Sequence, residues 1–590
     1  MWCDIGYRCI NKVKQYRMLK FIPLLFLILL IWTPEVGVLI AGTAAHPTTA
    51  AIRYFSIPLI GISIGLVVFL WASRIDMSLD RLKSFARRYN IHILLFLSAM
   101  FFLFFSGLSI LKYLTLHTCS GELGWYDNKV WNISQATSIL DALIVASTGY
   151  FQPILIVHGF LYKIWDSPIF LQFLQTGTVV SGVIPLYLIA KEKLQEKLWV
   201  LAIVFLYLLY PPVEYNATME FHPDHICVPL FLWAFYLVEK GRYWRAVIIV
   251  GLGGLAKEPL ILNAAFFGLY IFLDKGRWRT GISTFVSYLI LFSVIIFIIQ
   301  PGLTPYYKEL GNVVHGSNFG HLVPSNSEGI IDYLSNIIHG VLTWKSRKML
   351  LIAMLLIPFL CIPLIKGLKF IPALPSLFIA MLPLFPVHSA FDGQYTSAII
   401  PSIFVGLIFA LSWIRRRWGE RYFTALFLWI LFMAITLNIA HSPSPLSPNF
   451  WDKKWSELYN RGEYKKTIRF DDMKEIIAHV PSDPDVKVVS QYNINTARLS
   501  HRINYWIFPA GWKDADYILL NTRDPVIAIE VKQTPKNIYT TEKFLTAKQI
   551  YEKRYKEIFY EILGSKRYRI VAEKNGVILL KRNKSNEKTS

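Results

Sequence analysis

Charge is what this chain has least of. Charged residues make up 17% of its 590 positions, where a soluble globular chain carries about 25%. The deficit falls on the first 440 residues, where apolar runs of membrane-spanning length follow one another. Carboxylates are scarcer than cations: 39 Asp plus Glu stand against 61 Lys plus Arg, a net charge of +22. An excess of that size suits a nucleic-acid binder, but the cations lie in the short breaks between apolar runs, as topology determinants do. Nucleic acid is therefore set aside as a partner. Cysteine is also sparse. Cys3, Cys9, Cys119, Cys227 and Cys361 form no CxxC and no Cys/His cluster at metal-binding spacing, so no disulfide framework is expected. No Gly-rich phosphate loop or G-x-S-x-G elbow occurs in a strand–turn–helix context, which argues against direct use of ATP or a soluble sugar nucleotide. Internal repeats, common in transporters, are missing too.

What is present is a series of apolar segments. A span needs about 20 apolar residues to cross a hydrocarbon core of ~30 Å. Candidates are 21–42, 54–73, 91–112, 168–190, 198–213, 225–239, 246–257, 258–273, 281–300, 349–365, 370–386, 395–413 and 422–440. Lys12, Lys14, Arg17 and Lys20 precede the first. A cleaved signal peptide fits that start, but the apolar run resumes after Pro34-Glu35 and favours an uncleaved span. With the N-terminus inside, every second break is cytoplasmic. Those breaks carry Arg74, Arg81, Lys83, Arg87 and Arg88; Lys191, Lys193 and Lys197; Lys240, Arg242 and Arg245; Lys275, Arg277 and Arg279; Lys366 and Lys369; and Arg415, Arg416, Arg417 and Arg421. The alternate breaks 214–224 and 387–394 have no Lys or Arg. This agreement with the positive-inside rule predicts a multi-pass cell-membrane protein whose large loops, 113–167 and 301–348, and C-terminal part lie outside the cytoplasm.

Three regions follow: an extra transmembrane pair over 1–90, a membrane core over 91–440 and an outer soluble α/β domain over 441–590. Pro443, Pro445 and Pro448 form the linker. Beyond it, Asp471–His479 reads as a helix, Val486–Ser490 and Tyr517–Leu520 as strands and Thr546–Ile562 as a charged helix. Arg569–Arg582 reads as a hairpin turning at Asn575-Gly576.

Ionisable residues close to membrane depth are costly and so are functional suspects. Asp127 sits among aromatics in Gly124-Trp-Tyr-Asp-Asn-Lys-Val-Trp-Asn132, surroundings that tune a carboxylate for general-base work; an amphipathic surface helix explains the same pattern. Glu220-Phe-His-Pro-Asp-His225 places His222, Asp224 and His225 together as candidate ligands of a divalent cation or contacts for substrate; a polar helix cap with interfacial histidines is the plainer account. Lys257-Glu258 offers a phosphate contact or a self-neutralising pair. His388-Ser-Ala-Phe-Asp-Gly-Gln-Tyr395 opens another helix, with Asp392 placed as a cap.

In these residues the chain resembles an uncharacterised polytopic family, domain of unknown function 2079, over about 95–525. The resemblance rests on Tyr126-Asp127 followed by Gln135, Phe151-Gln-Pro-Ile-Leu155, Leu174-Gln175, Phe221-His222-Pro223-Asp224, Lys257-Glu258 and Tyr395 before Pro401. Val488-Val-Ser490, Leu499-Ser-His-Arg502 and Ala515-Asp-Tyr517 continue it. One departure is Tyr150, where the family often has His. The family in turn is similar to the GT-C class of membrane glycosyltransferases. The thirteen candidate segments make an all-α transmembrane bundle, GT-C-like in its core, and the likeness implies membrane lipid as partner and a polyprenyl-phosphate-linked sugar as donor. It also implies an acidic base in the first large outer loop, here Asp127, with Glu220, His222, Asp224, Lys257, Glu258 and Tyr395 around the substrate. A transporter or flippase, and a non-catalytic envelope protein with an outer binding domain, are the competing functions.

Overall fold

The computed structural model describes residues 57–75, 78–303, 330–342, 345–382, 389–453, 459–466, 468–494, 499–523, 553 and 555–583. The expected first span 21–42, most of the 301–348 loop, His388 and the start of the expected helix 546–562 lie outside these residues.

The chain is mostly helical. Its helices are α1 Ile57–Ala72, α2 Asp80–Leu114, α3 Trp125–Gln135, α4 Ile139–Ser147, α5 Leu155–Tyr162, α6 Pro168–Ser181 and α7 Val183–Leu194. There follow α8 Lys197–Leu208, α9 Pro211–Thr218, α10 Cys227–Glu239, α11 Tyr243–Gly254, α12 Glu258–Lys275 and α13 Trp278–Val294. The last are α14 Ile330–Leu342, α15 Lys345–Leu356, α16 Leu374–Met381, α17 Ile400–His441 and α18 Ile468–Ala478. Among the described residues five helical stretches are long and apolar enough to cross a membrane, and six if α8 and α9, bent by 54°, count as one. They face outward with apolar side chains such as Leu95, Phe96 and Leu103 on α2 and Ile290 and Phe297 on the α13 stretch, as a lipid-facing surface requires.

Expected spans and observed helices differ in several places, and the expected span 349–365 is interrupted: α15 ends at Leu356, and Leu360 and Cys361 take positive φ. The expected spans 395–413 and 422–440 are both in α17, which breaks at Gly419 (φ +83°), a backbone conformation that glycine alone adopts cheaply. The α10 and α11 helices have 13 and 12 residues, or about 18–20 Å at 1.5 Å per residue, too short to cross a membrane alone. Between α12 and α13 the backbones approach closely: a Cβ on Gly281 would lie 2.8 Å from the Gly268 carbonyl oxygen, the small-residue packing typical of membrane helices.

The basic breaks far apart in sequence meet in one ion-pair layer. Lys83 reaches Glu420 at 3.2 Å, Arg87 reaches Glu196 at 3.6 Å, and Arg415 reaches Glu420 at 2.5 Å. Glu239 gathers Lys193 at 2.5 Å, Lys275 at 2.7 Å and Lys369 at 3.7 Å, while Lys240 pairs with Glu192. From this layer α8 runs to the opposite end of the bundle, where the second polar assembly lies.

The C-terminal region forms one five-stranded sheet, ordered β2-β1-β3-β5-β4, from β1 Val488–Ser490, β2 Tyr505–Ile507, β3 Tyr517–Asn521, β4 Tyr568–Lys574 and β5 Val577–Arg582. Strands β2, β1 and β3 are parallel, and β3, β5 and β4 antiparallel. Alternate residues serve opposite faces, the period-two rule of strands. Val489, Ile518, Leu520, Ile578 and Leu580 pack with Tyr555, Ile558 and Ile562; Val488, Leu519, Val577 and Leu579 pack with Ile476 and Val480. The β4–β5 turn has positive φ at both Asn575 and Gly576, as a two-residue hairpin turn requires. The sequence reading had no counterpart to β2.

Candidate functional site

The site is assembled around the short turn Ser120–Gly124 that precedes α3. Two neighbours hold it. From the sheet side, the Ser120 N–H donates to the Ile494 carbonyl (2.9 Å) and the Gly121 N–H to the Tyr492 carbonyl (3.2 Å). From the bundle side, Glu220 Oε2 accepts the N–H groups of Cys119 (2.8 Å) and Leu123 (3.2 Å), and Lys112 lies 3.6 Å from its other oxygen. Glu220 is thus spent on fixing the backbone of this turn.

Glu122 is carried by that turn. Its carboxylate, 32% exposed, lies 2.8 Å from His222 Nε2 and accepts the Tyr492 hydroxyl. Burial pushes this carboxyl up, but His222, Tyr492 and Lys257 outweigh it and hold Glu122 below the usual carboxylate range. The His222 ring is oriented by its other nitrogen, with Nδ1 2.8 Å from the Glu220 carbonyl oxygen, and its backbone N–H donates to Gln175 Oε1 at 2.9 Å. Burial lowers the imidazole, yet the Glu122 charge raises it above its ordinary value. Each thus favours the charged form of the other.

Beside them lies Lys257, the extended residue that caps α12 (φ −169°, ψ 147°). Its Nζ is 3.9 Å from Asp224 Oδ2, 4.4 Å from the Tyr150 ring centre and 5.9 Å from that of Tyr395. Among the described residues this ammonium has no hydrogen-bond acceptor within range. Cation–π contact compensates part of its desolvation, and Tyr150, the departure from the family pattern, supplies the nearer ring. Asp224 Oδ1 is buried without a hydrogen-bond partner. Glu258 Oε2 accepts the Phe151 N–H at 3.2 Å from the first turn of α12, where a carboxylate also complements the helix dipole. Lys129 lies within electrostatic reach of Glu258 and Lys257. It donates to the carbonyls of Thr148 (3.0 Å) and Tyr150 (3.2 Å) and to Gln152 Oε1 (3.0 Å), and burial brings it down to about 7.

Asp127 lies elsewhere. Adjacent helix residues project about 100° apart, so Tyr126 meets the His222 ring (centres 4.9 Å apart) while Asp127 meets the C-terminal region. Asp127 is fully buried. Its Oδ1 accepts the Tyr162 hydroxyl, and its Oδ2 accepts the Ser500 hydroxyl at 2.5 Å and lies 3.1 Å from His501 Nε2. The next residue, Asn128, donates through Nδ2 to the carbonyls of Ser500 (2.7 Å) and Arg502 (2.6 Å).

The fold therefore brings His222, Asp224, Lys257, Glu258 and Tyr395 to one compartment, sets Glu220 under it, and places Asp127 across α3. His222 faces Glu122 and Tyr126, whereas His225 faces Phe221 and His158. Among the described residues no group of three or more His, Cys, Asp or Glu side chains is gathered to hold a metal ion, so the three candidate ligands do not compose a metal site by themselves. Sequence reasoning missed Glu122 and Tyr492 as site residues and gave Tyr150 only as a departure from the family pattern. Glu122 had a signal, as a second carboxylate in the same loop and flanked by glycines; the others depend on partners more than 100 residues away.

Set against known proteins, the chain matches the family described as "Predicted membrane protein (DUF2079)" over residues 112–579. The chain belongs to that family. It is also similar to two crystal structures of ArnT from Cupriavidus metallidurans, at 11% identity in each case. The apo structure matches with a TM-score of 0.42, covering 80% of this chain and 95% of that one. The structure bound to undecaprenyl phosphate matches with 0.46, covering 84% and 98%. No curated protein matches.

Proposed function

We propose that this member of the family is a membrane glycosyltransferase that moves a sugar from a polyprenyl-phosphate donor to an acceptor on the outer face of the membrane. The observation that carries the reading is Lys257. It is a largely buried cation with no hydrogen-bond acceptor among the described residues, collared by Tyr150 and Tyr395 and within electrostatic reach of Glu122. Such a cation is ready for a phosphate oxygen, and an ionised carboxylate in the same compartment is ready for a hydroxyl proton.

In this reading Glu122 is the general base and takes the proton of the acceptor hydroxyl. That oxygen attacks the anomeric carbon as its bond to the donor phosphate breaks, and Lys257 receives the charge of the departing lipid phosphate. His222 orients Glu122 and keeps it ionised. Asp224 and Tyr395 line the donor's position, with Glu258 and Glu220 holding the surrounding backbone. Asp127, the base suggested by sequence position, has all its near donors within the protein and serves to dock the C-terminal region. No step above depends on a divalent cation.

The test is transfer by the purified, reconstituted protein from a panel of polyprenyl-phosphate sugars. Lys257→Ala is expected to weaken donor binding with little change in folding. Binding of the donor lipids that is the same in wild type and Lys257→Ala, or absent from both, would sink the proposal.

A further inference from the structure

We propose that a buried monovalent cation of the sodium class binds where α9, the end of α17 and the following linker meet, with Glu214, Asn438 and Asn449 as its side-chain ligands.

The three residues are 2%, 1% and 0% exposed, respectively. Each has an oxygen with no hydrogen-bond partner: Glu214 Oε2, Asn438 Oδ1 and Asn449 Oδ1. They belong to one network. Asn438 Nδ2 donates to Glu214 Oε1 at 2.7 Å and to the Leu209 carbonyl at 2.7 Å. Turning that amide over would set its oxygen against two other oxygens, so the bare Oδ1 is imposed by the surroundings. Asn449 Nδ2 donates to the Ser442 carbonyl at 3.3 Å, and the Ser442 hydroxyl interacts with the Glu214 carboxylate. Ser442 thereby joins the two ends of the network.

Three buried oxygens without a donor among the described residues describe a site for something positive. A carboxylate cut off from water needs a counter-charge or a proton, and among the described residues Glu214 is in no ion pair. One water could serve two acceptors but would leave the charge unbalanced. A monovalent ion balances the single carboxylate, whereas a divalent ion would leave a buried net charge of its own. All-oxygen ligands select a hard cation over a transition metal. The position gives the site a consequence: the Ser442–Asn449 segment leads to the sheet that supplies Tyr492 and Ser500, so the ion would pin the base of the region that closes the candidate site.

The experiment is thermal melting of the full-length protein in detergent, titrated with sodium, potassium or choline chloride at constant ionic strength, and separately with calcium. Sodium or potassium should raise the melting temperature saturably and choline should not. Glu214→Gln should abolish the response. Asn449→Ala keeps the carboxylate and should shift the midpoint to higher salt, so the proposal remains testable if Glu214→Gln does not fold. Equal melting in sodium, potassium and choline, or an unchanged sodium response in both variants, would overturn the site. A saturable response to calcium alone would overturn its assignment to a monovalent ion.

Discussion

His501 Nε2 lies 3.1 Å from Asp127 Oδ2, joining the sheet region to the first helix after the α2 span. The ring also stacks on Trp131, with centres 5.8 Å apart, and its Nδ1 is 3.4 Å from Asp166 Oδ1. Burial lowers this imidazole, but Asp127 and then Asp166 outweigh that effect, while Arg502 opposes them, and His501 stands above its ordinary value. A raised histidine contributes stability that is complete below its unfolded value, about 6.5, and is lost as pH rises through the folded value. Docking of the C-terminal region is therefore expected to loosen above neutral pH. Hydrogen exchange of 125–135 measured across pH checks this, and His501→Gln should flatten the profile. A wild-type profile that is already flat would count against an imidazolium at this contact.

Glu122 and Asp127 are separated by function in the proposed mechanism. Glu122→Gln should lower turnover by the 10²–10⁴-fold typical of a lost general base, with a smaller loss of stability from leaving His222 without its carboxylate. Asp127→Asn should instead destabilise docking, because it weakens the contacts with Tyr162, Ser500 and His501. Kinetics and melting on both variants decide the matter. Loss of turnover in Asp127→Asn with unchanged docking would return the base to Asp127.

In the basic layer, Glu239 is the carboxylate shared by Lys193, Lys275 and Lys369. Asp274 also serves Lys275 and Lys369, at 3.1 and 2.9 Å, so Glu239→Gln chiefly strands Lys193. Removing one partner of a buried pair costs about 3–5 kcal/mol. The lysine is partly exposed, which reduces the expected loss to about 2 kcal/mol. Denaturant unfolding measures it, and a variant as stable as wild type would show that the layer is held by packing.

The two polar ends of the bundle should lie on opposite sides of the membrane. In a cysteine-free background, a cysteine at Leu446 should react with an impermeant reagent in intact cells, and one at Lys191 only after permeabilisation. Both positions are exposed. The reverse pattern would invert the topology and place the proposed transfer inside.

Hydropathy over twenty residues and the charge of the breaks are local quantities, so the sequence by itself determined a polytopic bundle with its cations clustered at alternate breaks. Local turn chemistry likewise gave the β4–β5 hairpin at Asn575-Gly576, and short apolar runs gave β1 and β3. The choice between Glu122 and Asp127 was not local. Both carboxylates occupy one loop, and which one opens toward Lys257 depends on how α3 is rotated. That rotation is set by Ser500 and His501, more than 370 positions further along the chain. Nor did the letters Lys257-Glu258 show what would surround the lysine, because Tyr150, Tyr395 and Asp224 converge on it from three other segments. Helical periodicity states that a face exists; only packing in three dimensions decides what it meets.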